Sequence, residues 1–176
     1  MENWTQTFTG KKIDFLNPDP EQIVIEDIAH ALSLQNRFNG HTKAPYSVAQ
    51  HSLMVMRHCP EGSELEGLMH DAAEAYMSDL VSPLKALCHD YREIEGRLTA
   101  VINARFSLSA NVKEVDLRAL ATERRDLMPH LVGNWSCLEG VAPFAETVIP
   151  MPWEVCEMMF LKAFKFYDRA ECDCKK

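Results

Sequence analysis

Along most of the chain apolar residues recur at the three- and four-residue steps of a helix, with turn-forming residues between the runs. Ile25 to Leu34 has this spacing, and Asn39-Gly40 stops it or the turn beyond. Pro45 opens the next element, with Ser47 as N-cap of a helix to about Cys59, and Pro60-Glu-Gly62 breaks it. Ser63 then caps a helix predicted to reach about Met77. Ser82-Pro83 starts a short helix with proline in its first turn, where the missing N–H does no harm. Asp90-Tyr-Arg-Glu93 has the form of a capping box for a long helix to Phe106. Asn111 caps a further helix carrying Val112, Val115, Ala119 and Leu120 on one stripe. The last helix begins at Pro152 and runs to about Arg169; its Met- and Phe-rich surface over Trp153 to Tyr167 is wider than one core stripe, so part of it can form a subunit interface, with core packing the simpler account.

Two stretches depart from this pattern. Thr5 to Phe8 and Ile13 to Leu16 around Gly10 predict a small β-hairpin, followed by the breakers Asn17-Pro-Asp-Pro20. Pro129, Gly133, Gly140, Pro143 and Pro150 predict that 129–151 is loop. No repeat or low-complexity linker divides the chain. The fold class predicted is all-α: an irregular bundle of six or seven helices in one domain spanning 1–176. Residues 1–24 form its N-terminal extension with the hairpin, and 170–176 a flexible tail.

Composition narrows the function. At 176 residues and 47% hydrophobic content, the chain can bury a full core without disulfides or structural zinc. A net charge of −8 argues against DNA, RNA or an anionic membrane as the main partner. Met1-Glu-Asn-Trp-Thr has no basic or apolar leader, and the apolar-rich run Met158 to Tyr167 is interrupted by Lys162 and Lys165. Both point to a cytoplasmic protein. The six cysteines form no CxxC pair and read as reduced structural thiols; Cys172-Asp-Cys174 in the polar tail could hold a metal only adventitiously.

The densest chemistry lies between Leu68 and Lys85, where His70, Asp71, Glu74, Asp79 and Lys85 interrupt an apolar segment. Carboxylates there are costly to bury unless a positive charge neutralises them, and a divalent metal is the commonest solution. A His-Asp dipeptide alone is weak evidence, since the chain has a second at His89-Asp90, where Asp90 occupies an N-cap position. His70-Asp71 has no such reading, being predicted inside a helix with Leu68, Ala72 and Ala75 around it. Glu74 lies one turn on from both. Asp116 is predicted mid-helix on the apolar stripe between Val112 and Leu120, where it needs a metal or an arginine. His51, between Val48 and Val55, taken alone reads as a hydrogen-bonded core histidine.

Several motifs therefore stand in order: Arg37-Phe38, Tyr46-Ser-Val-Ala-Gln-His51-Ser, and His70-Asp71-x-x-Glu74. Asp79-Leu-x-x-Pro83-x-Lys85 and Ala119-x-Ala-Thr-Glu-Arg-Arg-Asp126 follow. Together they resemble the HD-domain phosphohydrolase superfamily, and within it the small phage and prophage HD proteins related to bacterial 5'-deoxynucleotidases. The resemblance implies that His51, His70, Asp71 and Asp116 ligate one divalent ion, of Co, Mn, Zn, Fe or Mg. It implies that Glu74 positions or deprotonates water or protonates the leaving oxygen, and that Arg37 clamps the phosphate. Lys85 would supply a second positive charge, and Asp79 would accept from a sugar hydroxyl or orient water. In the deoxynucleotidase pattern the residue after the arginine is a tryptophan that helps exclude ribose; here it is Phe38.

Other readings stand beside these. Arg37 can be a helix C-terminal cation, Lys85 a solvated surface lysine, and Asp79 the end of one helix or the cap of the next. Glu123-Arg124-Arg125-Asp126 reads as a solvated face from which Arg124 could reach a polyphosphate, and His41 and Lys43 can reach the phosphate or point into water. The implied activity is hydrolysis of deoxynucleoside monophosphates by a homo-oligomer. The alternatives are a dNTP (dATP-like) triphosphohydrolase or another HD-type nucleotide hydrolase, and a non-catalytic metal- or partner-binding module. Two-metal HD oxygenases or cyclic-dinucleotide phosphodiesterases would want extra histidines between His70 and Asp116, and only His89 lies there.

Overall fold

The computed structural model describes residues 2–173, with side chains as far as Asp168; the tail predicted from residue 170, with Cys172 and Cys174, lies outside those described side chains. The chain opens with antiparallel strands β1 (Trp4–Gln6) and β2 (Lys12–Asp14), with Thr5 opposite Ile13. Their turn places Gly10 at φ +83°, a conformation that suits glycine. β2 ends two residues before the hairpin predicted from sequence, because the Asp14 carboxylate accepts from the Leu16 and Asn17 amides (2.8 and 3.1 Å) and turns the chain. The hairpin is held by buried Asp27, whose carboxylate accepts from the Thr9 amide and hydroxyl at 2.7 and 2.9 Å.

The rest of the described chain is mostly helical: α1 (Ile25–Leu34), α2 (Val48–His58), α3 (Glu64–Met69), α4 (Glu74–Met77), α5 (Ser82–Lys85), α6 (His89–Phe106), α7 (Lys113–Leu127) and α8 (Trp153–Asp173). Ser47 caps α2 as predicted, its hydroxyl accepting from the Gln50 amide at 3.1 Å. α2 is the central element, buried from Val48 through Met56 and packed against α1, α3, α7 and α8. Ile28, Leu32, Leu53, Leu68, Leu98 and Phe160 form the main core around it. A smaller cluster of Met54, Val55, Val112, Ala119 and Phe144 joins α2 to α7 and the following loop. α3 lies so close to α2 that a Cβ on Gly67 would meet Cys59 Sγ at 2.6 Å and the Met56 Cα at 2.8 Å.

Three predicted features differ. The helix expected over 63–77 is two, α3 and α4, joined by a tight turn in which Ala72, Glu74 and Ala75 amides bond three residues back. The His70 ring, Nδ1 2.9 Å from the Gly67 carbonyl, occupies the acceptor that a continuing helix would give to the Asp71 amide. The Ser63 side chain makes no capping bond to α3. Nor does the Asp90 capping box form: α6 begins at His89, Cys88 is the cap, and Asp90 is an acid within the first turn, where the helix dipole favours it. Asn111 does meet the start of α7, accepting from the Lys113 amide at 2.9 Å. Residues 129–151 are loop apart from the 3-10 turn Ser136–Leu138. Among the described residues, no helix is long and apolar enough to cross a membrane.

Candidate metal centre

Two histidines from adjacent helices are aimed at one point by what lies behind them. His51, on α2 and fully buried, has Nδ1 2.6 Å from Glu123 Oε1. His70, at the end of α3, has Nδ1 against the Gly67 carbonyl. Each acceptor pairs with Nδ1 and aims Nε2 at the common point, where it can bind an ion on giving up any proton it carries, the usual way a metal-binding imidazole is oriented. The two Nε2 atoms stand 3.2 Å apart. Asp71 Oδ2 lies 3.1 Å from His70 Nε2 and 3.5 Å from His51 Nε2. Ligand atoms sharing an ion at about 2.1 Å are separated by about 3 to 3.4 Å, so His51, His70 and Asp71 form a group that could hold a metal ion.

Asp116 completes this end of the cluster, with Oδ1 3.3 Å from His51 Nε2 and 3.9 Å from His70 Nε2. It sits in the first turn of α7 rather than mid-helix, and its second oxygen pairs with Lys113 Nζ at 2.8 Å. The partner its burial demanded is thus a lysine and two imidazoles. His70-Asp71 likewise lies in the turn after α3, not inside a helix. That turn lets consecutive side chains face the same centre.

Behind the ligand group lies a buried residue that the sequence reading assigned to a solvated face. Glu123 is fully buried: Oε1 accepts from the Tyr46 hydroxyl at 3.0 Å as well as facing His51, and Oε2 accepts from Arg37 Nε at 3.1 Å. The available signal was its position seven residues after Asp116, on the same face of α7. The neighbouring Arg125 and Asp126 do form the internal pair expected of a solvated face, at 2.7 Å.

Arg37 lies beyond α1 in a 3-10 turn, Arg37–Gly40, and is buried rather than a helix-end cation. Its Nη1 is 3.6 Å from Asp71 Oδ2, so it spans the ligand group and Glu123. Phe38 and Asn39 follow in left-handed backbone, with φ of 55° and 50°. This bend sets the Phe38 ring 6.1 Å from that of Trp135, a loop residue sequence reasoning missed. Arg124 stacks over Trp135 at 5.0 Å and donates to the Gly133 carbonyl, so it serves this loop. Lys43 is drawn to the end of α7, donating to the Asp126 carbonyl at 3.0 Å, and His41 is exposed. No contact brings either to the cluster among the described residues.

On the other side, Glu74 is buried and Lys85 is half-buried rather than solvated, bridging Glu74 Oε1 at 3.3 Å and Glu95 Oε1 at 2.6 Å. Asp79 is half-buried beyond α4, its amide donating to Gln35 Oε1 at 3.2 Å.

Burial and mutual charge divide these groups into opposite states. Burial would raise Asp71, yet His70, His51 and Arg37 hold it well below the usual carboxylate range. Burial would raise Asp116 too, and His51 and His70 hold it down. Burial and Arg37 oppose charge on His51, but Glu123 and Asp116 win and push it up to about 10. Glu74 is pushed up to about 9, first by burial and then by Asp71 and Asp79, against the pull of Lys85. Two carboxylates a few residues apart thus differ near neutrality, Asp71 ionised and Glu74 protonated.

A cleft of about 520 Å³ opens against His70, Asp71 and Asp116 and extends to Glu66, Thr99 and Asn103. It gives the cluster a route to solvent and room for a small molecule.

No protein-family model matches the chain. It is 42% identical over 117 residues to an uncharacterized protein of Rhodobacter capsulatus, covering 61% of this chain and 60% of that one. It is 41% identical over 168 residues to the uncharacterized protein YfdR of Escherichia coli, covering 92% of this chain and 94% of the relative. With that identity sustained almost from end to end, the chain belongs to the family of the Escherichia coli protein YfdR.

Proposed function

We propose that this protein is an HD-type, metal-dependent phosphohydrolase of nucleotides, acting as a 5'-deoxynucleotidase that converts a deoxynucleoside monophosphate and water to nucleoside and phosphate. The observation carrying this reading is the pair of Nε2 atoms 3.2 Å apart, each oriented by an acceptor on Nδ1 and flanked by Asp71 and Asp116. His51, His70, Asp71 and Asp116 would hold one divalent ion, Co, Mn, Zn, Fe or Mg, which when bound supplies charge neutralisation at the phosphoryl group and a more acidic water.

The chain's own groups do the rest. Arg37, already 3.6 Å from Asp71, offers its guanidinium to the non-bridging phosphate oxygens. Water attacks phosphorus while the bond to the 5'-oxygen breaks; Glu74, which burial keeps protonated near neutrality, hands its proton to that oxygen and is restored by the proton the attacking water loses. Lys85 holds Glu74 in place and adds positive charge as negative charge gathers. Asp79, half-buried beyond α4, orients the water network. Arg124 and Lys43, bound to carbonyls of their own chain, leave a triphosphate without the additional cations it needs. A homo-oligomer in the cytoplasm, free of nucleic acid, completes the proposal; Met158 and Phe166, exposed on α8, support the oligomer.

The test is to supply purified protein with Co or Mn and a panel of dNMPs, NMPs, dNTPs and cyclic dinucleotides, and to identify what leaves. Phosphate from dNMPs is expected. Glu74→Ala should keep the metal and lose roughly 10²- to 10⁴-fold in kcat. Absence of turnover across the panel, or full activity in Glu74→Ala, refutes the assignment.

A further inference from the structure

The cleft beside the ligand group changes character along its length. Its near end is His70, Asp71 and Asp116; its far end is Glu66 on α3 with Thr99 and Asn103 on α6. Lys113 is the only cation among the lining residues described, and it is tied to Asp116 at 2.8 Å. The far end therefore offers a hydroxyl, an amide and a carboxylate, and nothing to receive a second or third phosphate.

Glu66 is the unusual group there. It is only 8% exposed. Its Oε1 accepts two long bonds, from the Ser109 amide at 3.4 Å and the Ala110 amide at 3.3 Å. Its Oε2 is sealed from solvent and has no partner. A buried carboxylate oxygen without a donor is costly, and bonds of that length hold weakly. The carboxylate can turn about its side-chain torsions and present the unpaired oxygen to a donor that enters the cleft. Glu66 stands four residues before His70 on the same helical face.

We infer, resting on the phosphohydrolase reading above, that this cleft receives the nucleoside of a monophosphate and that Glu66 accepts an N–H from an amino-bearing base. With the phosphoryl group at the histidine cluster beside Arg37, the nucleoside extends away along the cleft. The volume of about 520 Å³ is ample for such a group. A carboxylate accepts from the exocyclic amine of cytosine or adenine, whereas a base with a carbonyl in that place sets two acceptors against each other. Sites built to pair a polar group discriminate against the analogue that lacks it.

The test uses substrate pairs that differ only in amino against oxo: dCMP with dUMP, and dAMP with dIMP. Metal-loaded wild type should favour the amino member by about tenfold or more in kcat/KM. Glu66→Gln should bring that ratio close to one, because the amide can donate as well as accept. A purely structural role for Glu66 would lower both members together and leave the ratio where it was. Thr99→Phe, which narrows the cleft from α6, should raise KM more than it lowers kcat. Calorimetry with deoxycytidine and deoxyuridine reads the same preference without hydrolysis. Equal treatment of amino and oxo partners by wild type, a ratio unmoved in Glu66→Gln, or an unchanged KM in Thr99→Phe overturns the inference. Phosphate release without discrimination removes the base pocket and leaves the hydrolase. Selective binding of deoxycytidine without phosphate release removes the hydrolase and leaves the pocket.

Discussion

Glu123 does more for the candidate centre than its position behind the ligands suggests. Its two oxygens fix a tyrosine, an arginine and the tautomer of His51 at once. Replacing it with glutamine keeps the shape but exchanges one acceptor for a donor and removes the charge that offsets Arg37. Glu123→Gln should weaken metal binding by about 10- to 100-fold, as loss of such supporting partners does elsewhere. Titration of the metal-free protein with Co or Mn, followed by calorimetry, checks this, and unaltered affinity would dismiss the supporting role. The contrast between Glu123 and the candidate ligands shows what the sequence discloses at this scale. His70 and Asp71 stood out because polar groups interrupt an apolar stretch, whereas Asp116 was expected mid-helix and lies in the first turn of α7. Glu123 sat among Arg124, Arg125 and Asp126, and only tertiary packing separates a buried acid from its exposed neighbours.

At the scale of elements, the decisive contact is the close crossing of α2 and α3 at Gly67. His51 and His70 meet because the helices approach to a distance that a single methyl group would obstruct. Gly67→Ala should destabilise the protein by roughly 1–3 kcal/mol, since the nearer obstacle, Cys59 Sγ, can swing away but the Met56 backbone cannot. Metal affinity should fall with it, and Cys59→Ala in the same background should recover only part of the loss. Thermal melts with and without metal decide the matter; a melting temperature equal to wild type would mean the crossing has slack. Helix positions were largely readable here, as α1, α2 and α5 follow their predicted spans. The break between α3 and α4 was not, because it depends on a side chain taking a backbone acceptor. No hydrophobic period records such a competition.

For the whole molecule, the opposed carboxylates and His51 shape how stability depends on pH. Asp71, Asp116 and Glu123 titrate below their ordinary range in the fold, so they contribute stability above about pH 4 that is lost on acidification. Glu74, pushed up to about 9, acts in the other direction. The fold holds its proton while the unfolded chain releases it from about pH 4.5, so stability declines as pH climbs from there toward 9. His51, pushed up to about 10, adds a contribution that is complete below about pH 6.5 and lost through 10. Metal-free protein should therefore melt lower at pH 8 than at pH 6. Glu74→Gln should raise the melting temperature at pH 8 by about 3 °C or more and flatten that slope. Parallel slopes for wild type and variant, measured with a chelator present, would show Glu74 to be ionised in the fold.

The ties around Glu123 also set an order of events during synthesis. His51, Arg37 and Tyr46 leave the ribosome long before the residue that aligns them. A nascent chain lacking α7 has neither Asp116 nor the acceptor that turns His51, so its histidines stay poorly arranged for capturing ions. Any ion this group holds would therefore be captured only after α7 has left the ribosome, which would make loading a sign that folding has reached α7.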